Sequence, residues 1–281
     1  MSNADPKAYD WVGERGARWR AFLPGLEGML APVDHPLIDA LALDRPCRVA
    51  DVGCGGGATA IAIHRRAPAG TVVHGFDLAP ALIEVARARV APGDDTIAFE
   101  LADMATASPP AARYDRLVSR FGVMFFDDPP AAFANLARWL APRGRVAFAV
   151  WARPADNPWI TTLREAVGSI VALPPMDLTA PGPYRYGEVD GLLELLRRAG
   201  LGELAARTWR GALPVGGGMS PADGASFAIH SNSTFVDLLV EAGDDAVARA
   251  IQALTARLEA HARDGVVHMD ASVHIVTGAV A

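Results

Sequence analysis

A glycine-rich stretch at residues 49–57, VADVGCGGG, constrains the fold of this chain more than any other feature. It follows a short run of strand-forming residues and precedes a segment with helical apolar spacing, so it predicts a turn from a strand into a helix. Glycine permits positive φ and lets the backbone touch a bound molecule, while the following helix directs free N–H groups to the same point. A tight turn alone needs one glycine, whereas four of the five positions 53–57 are glycine. The stretch therefore indicates a ligand-binding loop.

Short apolar runs alternate with helical patterns on both sides of this loop. Strands are predicted at residues 48–52, 71–76, 97–101, 116–119 and 145–151, and helices at 58–66, 80–90 and 130–140. This alternation is typical of strand–helix–strand units whose strands form a parallel sheet. The sequence therefore predicts an α/β fold with a Rossmann-like, doubly wound, mostly parallel sheet.

Two acidic residues follow the next predicted strands. Asp77 comes about 20 residues after the loop, where such folds place an acid that accepts hydrogen bonds from both ribose hydroxyls. The simpler alternative makes Asp77 the N-cap of the helix that starts at Pro80. Asp103 follows the third strand and is expected to accept from an adenine amino group while Met104 packs on the ring; the alternative is a solvated loop acid.

Asp51 separates two cofactor classes. The loop also satisfies the pattern G-x-G-x-x-A, so an NAD(P)-dependent oxidoreductase is an alternative. An acid two residues before the first glycine is unfavourable beside a pyrophosphate but suits a cationic amine. S-adenosyl-L-methionine combines adenine, ribose and a cationic amino-acid end, and it would use Asp51, Asp77 and Asp103 together. It is therefore the predicted cofactor.

Five motifs together resemble the class I S-adenosylmethionine-dependent methyltransferases, within them the small-molecule branch that includes ubiquinone/menaquinone-type C-methyltransferases. They are VADVGCGGG at 49–57, HGFD at 74–77, LADM at 101–104, SRFGVMFF at 119–126 and APRGR at 141–145. The resemblance covers about residues 47–152 and implies a seven-stranded sheet with an antiparallel last strand, to which residues 204–209 and 272–276 would contribute. The cofactor-binding residues that it implies are Asp51, Gly53, Cys54, Gly55, Asp77, Leu78, Asp103, Met104 and Ser119.

The segments outside these motifs predict a helical covering of the sheet. Residues 1–45 are predicted to form an N-terminal helical cap, with a helix at 9–30 that Pro24 breaks or kinks. Residues 46–281 would form the methyltransferase domain, with lid insertions at about 153–186 and 212–264. Further helices are predicted at 159–171, 188–199, 226–239 and 245–262.

The sequence contains no specific motif for the methyl acceptor or for a catalytic base. Methyl transfer from a sulfonium needs alignment and exclusion of water more than a catalytic group, and His230 is the candidate base because it lies in the variable insertion. Aromatic residues expected near the ligand-binding edge favour an apolar or aromatic small-molecule acceptor, with core packing as the alternative. They are Trp11, Trp19, Phe125, Trp151, Trp159 and Tyr184.

Composition argues against several other classes of protein. Lys7 is the single lysine, so no Gly-Lys-Ser/Thr phosphate loop or buried Schiff-base amine exists. A net charge of −6 without long basic runs argues against a nucleic-acid partner, and Cys47 and Cys54 fit neither a disulfide scaffold nor a metal site. No apolar stretch reaches the ~20 residues of a membrane helix, which predicts a cytoplasmic protein without a membrane partner. A homodimer and a non-catalytic cofactor-binding module stay open as alternatives.

Overall fold

A computed structural model describes residues 11–280, which form eleven α-helices and eight strands. The helices are α1 Glu14–Ala21, α2 Leu23–Leu30, α3 Asp34–Ala40, α4 Ala58–Arg66, α5 Pro80–Ala88, α6 Pro129–Trp139, α7 Pro158–Gly168, α8 Asp190–Arg198, α9 Pro221–His230, α10 Ser233–Glu241 and α11 Ala246–Leu258. The strands are β1 Arg48–Val52, β2 Val72–Asp77, β3 Ile97–Leu101, β4 Tyr114–Arg120, β5 Leu140–Trp151, β6 Leu201–Pro214, β7 Ala262–Arg263 and β8 Val266–Val280.

Seven of these strands form one sheet in the order β3-β2-β1-β4-β5-β8-β6, and the two-residue β7 pairs only with β8. The first five strands pair in parallel, whereas β8 is antiparallel to both of its long neighbours. The strand order reverses between β1 and β4, and ligands of doubly wound sheets bind outside the carboxyl ends of the strands at such a point. The predicted fold class, a mostly parallel seven-stranded sheet with an antiparallel last strand, is confirmed.

Burial explains why the central strands of the sheet could be predicted from the sequence. The last four residues of β1 and the last six of β5 are all buried, as expected of central strands covered by helices on both faces. Helices α4 and α5 follow β1 and β2 directly, so their first turns face the same sheet edge.

The last hairpin is longer than predicted. Strand β6 runs through 201–214 instead of 204–209, and β8 through 266–280 instead of 272–276. Most β6 residues are exposed or half-buried, so the strand lacks a regular apolar alternation and its ends could not be read from the pattern.

Several helix boundaries also differ from the prediction, and three of the differences change how the segments outside the sheet are divided. The predicted helix at 226–239 is two helices, because α9 ends at His230 with Ser231 as its C-cap and Asn232 caps α10, its Oδ1 accepting from the Phe235 N–H at 3.3 Å. The helix predicted at 9–30 is interrupted at Phe22, where α2 begins with Pro24 in its first turn; Tyr9 and Asp10 lie outside the described residues. The helix predicted at 159–171 ends at Gly168.

The helices outside the sheet meet over its ligand-binding edge. Helix α2 packs on the turn Val215–Gly217, and a Cβ built on Gly28 would lie 2.8 Å from the Cα of Gly217. The rings of Phe22 and Phe227 are 6.0 Å apart and join α2 to α9. The N-terminal helices and the segment between β6 and β8 therefore form one continuous cover. The division into a cap at 1–45 and a domain with two lid insertions stays a prediction.

Candidate active site

A cavity of about 510 Å³ opens where β1, β2, β3 and β4 end. Loops after these four strands form its floor, and side chains from α1, α2 and the α9–α11 segment form its roof. Its apolar lining with a few convergent polar groups is typical of a small-molecule site.

The glycine loop forms part of the cavity wall. Gly53, Gly55 and Gly57 have φ values of +70°, +55° and +86°, which favour glycine. The carbonyl of Phe76 accepts from the N–H groups of Gly53 and Cys54 at 2.8 and 3.0 Å, so the loop is fastened to β2. A Cβ at Gly57 would lie 2.7 Å from the Phe99 ring, whereas a Cβ at Gly55 would meet no atom within 4 Å. Gly57 is thus needed for packing, and the space at Gly55 is open to a ligand.

Asp51, near the end of β1, is a buried carboxylate without a hydrogen-bond partner among the described residues. It is 1% exposed and lines the cavity, yet neither oxygen has a hydrogen-bond partner among the described residues. Burial raises the pKa of Asp51 to about 7; the nearby Arg120 guanidinium lowers it, and the Asp34 and Asp77 carboxylates raise it further. An unpartnered buried carboxylate is costly unless a cation or hydrogen-bond donor reaches it. The site therefore fits a ligand with a cationic amine.

Asp77 holds two loops together at the end of β2. Its Oδ2 accepts from the Gly55 N–H at 2.8 Å and its Oδ1 from the Ala79 N–H at 2.9 Å. Burial raises the pKa of Asp77, and these backbone hydrogen bonds partly offset the effect. Ala79, not Asp77, is the N-cap residue of α5. Each carboxylate oxygen keeps a second lone pair for a ligand hydroxyl.

The loop after β3 presents a polar and an apolar group to the cavity. Asp103 accepts from the Ala105 N–H and the Thr106 hydroxyl, both at 2.9 Å, while Met104 is buried and Leu78 is 40% exposed. All three residues line the cavity together with Asp51, Asp77 and Cys54. Burial raises the pKa of the Cys54 thiol well above its ordinary value, which makes this cysteine a packing group.

Sequence reasoning missed a buried ion pair beside Asp51. Arg120 Nη1 lies 3.0 Å from Asp34 Oδ2, with side-chain exposures of 10% and 15%, and Asp34 Oδ1 accepts from the Thr59 hydroxyl at 2.8 Å. Arg120 ends β4 and lines the cavity. The signal available in the sequence was an arginine at the carboxyl end of a buried strand, a position where an unpaired charge is rare.

Aromatic side chains form the other end of the cavity. The Trp11 ring lies 5.7 Å from Trp19 and 5.1 Å from Phe125, both edge-on. Trp151 lies 5.1 Å from Trp159 and stacks on Phe121 at 4.3 Å. The cavity brings five of the six predicted aromatic residues together, and α1 adds Arg15 and Arg18, which the sequence analysis did not single out.

Three predicted site residues do not line the cavity. Ser119 is fully buried and ties β4 to β1, donating to the Val52 carbonyl at 2.7 Å and accepting from the Gly122 N–H. Tyr184 is 6% exposed, and its hydroxyl has no partner among the described residues. His230 Nδ1 lies 2.8 Å from the Ser226 carbonyl in its own helix, and His230 is not among the residues that line the cavity. These three side chains contribute to packing in the structure.

Residues 11–280 contain no group of three or more histidine, cysteine, aspartate or glutamate side chains that could hold a metal ion. No helix in this range is long and apolar enough to cross a membrane.

Comparison with known proteins agrees with this geometry. Residues 49–144 match the model of a methyltransferase domain. The chain is 32% identical to nocamycin O-methyltransferase of Saccharothrix syringae over 62% of its own length and 65% of that protein. It is 33% identical to aklanonic acid methyltransferase of Streptomyces sp. strain C5 over 42% of its length and 54% of that protein. The chain thus spans less than two thirds of these relatives.

A solved structure gives the same fold over most of the chain. Phosphoethanolamine N-methyltransferase 2 of Haemonchus contortus, in complex with phosphomonomethylethanolamine and S-adenosylhomocysteine, has a TM-score of 0.55 and 14% identity. The match covers 95% of this chain and 57% of that one.

The fold, with its β1–β4 cavity and glycine loop, is that of a Rossmann-like methyltransferase. Residues 49–144 are a methyltransferase domain by this match, and the relatives and solved structures support a class I S-adenosylmethionine-dependent methyltransferase with S-adenosyl-L-methionine as its cofactor. The same matches give no support to an NAD(P)-dependent oxidoreductase.

Proposed function

We propose that this protein transfers a methyl group from S-adenosyl-L-methionine to a small, apolar or aromatic molecule. The observation that carries the proposal is one cavity that joins the acid-bearing strand ends to an aromatic wall. When bound, the cofactor supplies an electrophilic methyl group on a sulfonium, which a nucleophile displaces in line. The chain's own residues would then bind, orient and exclude water.

The proposed cofactor contacts follow from the charges on the cavity floor. Asp51 would hold the amine, because its buried oxygens have no partner among residues 11–280. Arg120, whose charge lowers the pKa of Asp51, would hold the carboxylate of the same amino-acid end. Asp77 would accept from the ribose hydroxyls, and Asp103, with Leu78 and Met104, would bind the adenine. Gly53, Cys54 and Gly55 would let the backbone contact the ligand.

The proposed acceptor region excludes water without supplying an obvious base. Trp11, Trp19, Phe125, Trp151 and Trp159 would enclose a planar apolar molecule. No histidine lines the cavity in the described part of the chain, so we propose that positioning supplies most of the rate. The relatives' names, which include an O-methyltransferase and an acid methyltransferase, support a hydroxyl or acid oxygen as the accepting atom.

The first test is calorimetric titration of the purified protein with S-adenosylmethionine, S-adenosylhomocysteine and NADH. We expect binding of the first two and none of the third, and absence of binding by both adenosyl compounds would contradict the proposal. Transfer of a labelled methyl group to a panel of aromatic metabolites then separates an enzyme from a non-catalytic binding module. Tight cofactor binding without any transfer would favour the module. A cytoplasmic location, a homodimer and the lid insertions at about 153–186 and 212–264 remain part of this proposal.

A further inference from the structure

Charge is distributed unevenly over the cavity, and Arg18 has no carboxylate partner among residues 11–280. Glu27 is paired with Arg89 through hydrogen bonds of 2.7 and 2.9 Å, and Arg120 is paired with Asp34. Arg18 also lines the cavity, but its only polar partner among the described residues is the backbone carbonyl of His230, 3.1 Å from Nη1. A guanidinium has five N–H groups, so most of those on Arg18 can accept a ligand oxygen.

The place of Arg18 in the fold puts it at the aromatic end. Arg15, Arg18 and Trp19 share one face of α1 through three- and four-residue spacing, and all three line the cavity. The Arg15 guanidinium lies 5.1 Å from the centre of the Trp11 ring and 5.7 Å from that of Phe125. The contact with His230 holds Arg18 against the end of α9, and the next three residues, 231–233, line the same cavity.

The proposed partner for the cofactor's own carboxylate is Arg120, not Arg18. The charge of Arg120 acts directly on Asp51, the proposed amine site, and its guanidinium is almost buried on the cavity floor. Arg18 is instead fastened to the segment between β6 and β8, which forms the roof. A half-buried guanidinium without a carboxylate partner favours a planar anion, because carboxylates accept two parallel N–H bonds from it.

We propose that the acceptor is an aromatic acid whose carboxylate binds Arg18 while its ring system lies between Trp11, Trp19 and the Phe125 side of the cavity. This inference rests on the proposed methyltransferase function and names the substrate class of the same site. Arg18 is a specificity-determining residue in this arrangement: it selects anionic over neutral acceptors of the same shape.

The experiment uses two probes that differ only in charge, 1-hydroxy-2-naphthoate and 1-hydroxy-2-naphthamide. Each is titrated calorimetrically into the full chain saturated with S-adenosylhomocysteine. We expect the naphthoate to bind about tenfold more tightly or better, as a charge-assisted hydrogen bond predicts. In Arg18→Gln the two Kd values should become equal within about twofold, while the Kd of S-adenosylhomocysteine stays within about twofold of the native value.

Arg20→Gln is the matched control. Arg20 lies on the same helix, is paired with Glu84 on the surface and does not line the cavity, so this variant should keep the tenfold preference. Thermal melts of both variants verify folding. Equal affinity of the two probes for the native protein, a preference that survives Arg18→Gln, or no binding of the naphthoate at about 1 mM would each overturn the inference.

Two outcomes distinguish this inference from the proposed function. If S-adenosylhomocysteine fails to bind the native protein, the methyltransferase function fails and the acceptor class falls with it. If Arg18→Gln weakens S-adenosylhomocysteine tenfold and leaves the probe preference intact, Arg18 binds the cofactor. The acceptor inference is then wrong, and the proposed function stands.

Discussion

The two ends of the cavity are built in different ways. The end that carries Asp51, Asp77 and Asp103 comes from one stretch of about 55 residues at the strand ends, and backbone hydrogen bonds hold the side chains of Asp77 and Asp103. The aromatic end joins segments far apart in the chain, as in the Arg18–His230 contact across 212 residues. The geometry of the first end is set by the sheet itself, whereas that of the second depends on how the helices pack over the sheet. Substitutions should therefore separate cofactor binding from enclosure of the acceptor.

The largest effect is expected at Asp51. Asp51→Asn keeps the size of the side chain but removes the charge that would face the cofactor amine. A buried amine without its counter-charge costs about 3 kcal/mol or more, so the Kd for S-adenosylmethionine should rise at least about hundredfold. Calorimetry measures this, with the exposed Asp270→Asn as the control. A change below about threefold would show that the carboxylate does not contact the cofactor.

The same substitution, Asp51→Asn, should stabilise the fold of the protein without cofactor, although it weakens cofactor binding. Burial raises the pKa of Asp51 to about 7, above its value in the unfolded chain. An acid with a raised folded-state pKa stabilises the fold fully below its unfolded pKa of about 4, and this contribution is lost as the pH rises to about 7. Asp51→Asn should therefore become more stable relative to the native protein between pH 5 and 7, by roughly 2 to 3 kcal/mol, with no further change above. Parallel melting profiles from about pH 5 to 8 would contradict this.

Two glycines of the loop separate packing from ligand contact. Gly57→Ala places a Cβ 2.7 Å from Phe99 at a φ of +86° and should lower the free energy of unfolding by about 2 kcal/mol. Gly55→Ala meets no protein atom within 4 Å and should cost about 1 kcal/mol from its positive φ, while cofactor affinity falls about tenfold. Urea unfolding and calorimetry on the same samples test the pair. Unchanged cofactor affinity in Gly55→Ala would mean that the space at Gly55 is not reserved for a ligand.

The smallest effect on cofactor affinity is expected from a substitution in α2, one of the helices that form the roof of the cavity. Gly28→Ala introduces a Cβ 2.8 Å from the Gly217 backbone and should loosen the contact between α2 and the Val215–Gly217 turn. The expected loss in the free energy of unfolding is about 1 kcal/mol. Hydrogen exchange at residues 215–230 should rise, while the Kd of S-adenosylmethionine changes less than about threefold. Gly191→Ala, in α8 with open space around its Cβ, is the control and should be neutral or stabilising. An equally large loss of cofactor affinity in Gly28→Ala would show that the two ends are not independent.

The sheet and its acids were predictable because their signals are local. The five parallel strands come in βα units whose apolar runs and glycines lie next to each other in the sequence, and parallel strands bring their carboxyl ends to one edge. Ser119 was implied by the family resemblance, but its hydroxyl instead donates to the Val52 carbonyl of β1, because a position at a strand end does not tell which way a side chain points. The α9–α10 break was missed because Asn232 interrupts an otherwise continuous helical pattern.

By itself, the sequence determined the fold class and the order of acids along the sheet edge, since these depend on neighbouring residues and a regular strand geometry. Only the tertiary structure decided that Arg120 pairs with Asp34 beside Asp51, that Arg18 meets α9, and that His230 and Tyr184 lie outside the cavity. Such contacts join residues tens to hundreds of positions apart. No local pattern records them, because they form only when separately folded segments pack against each other.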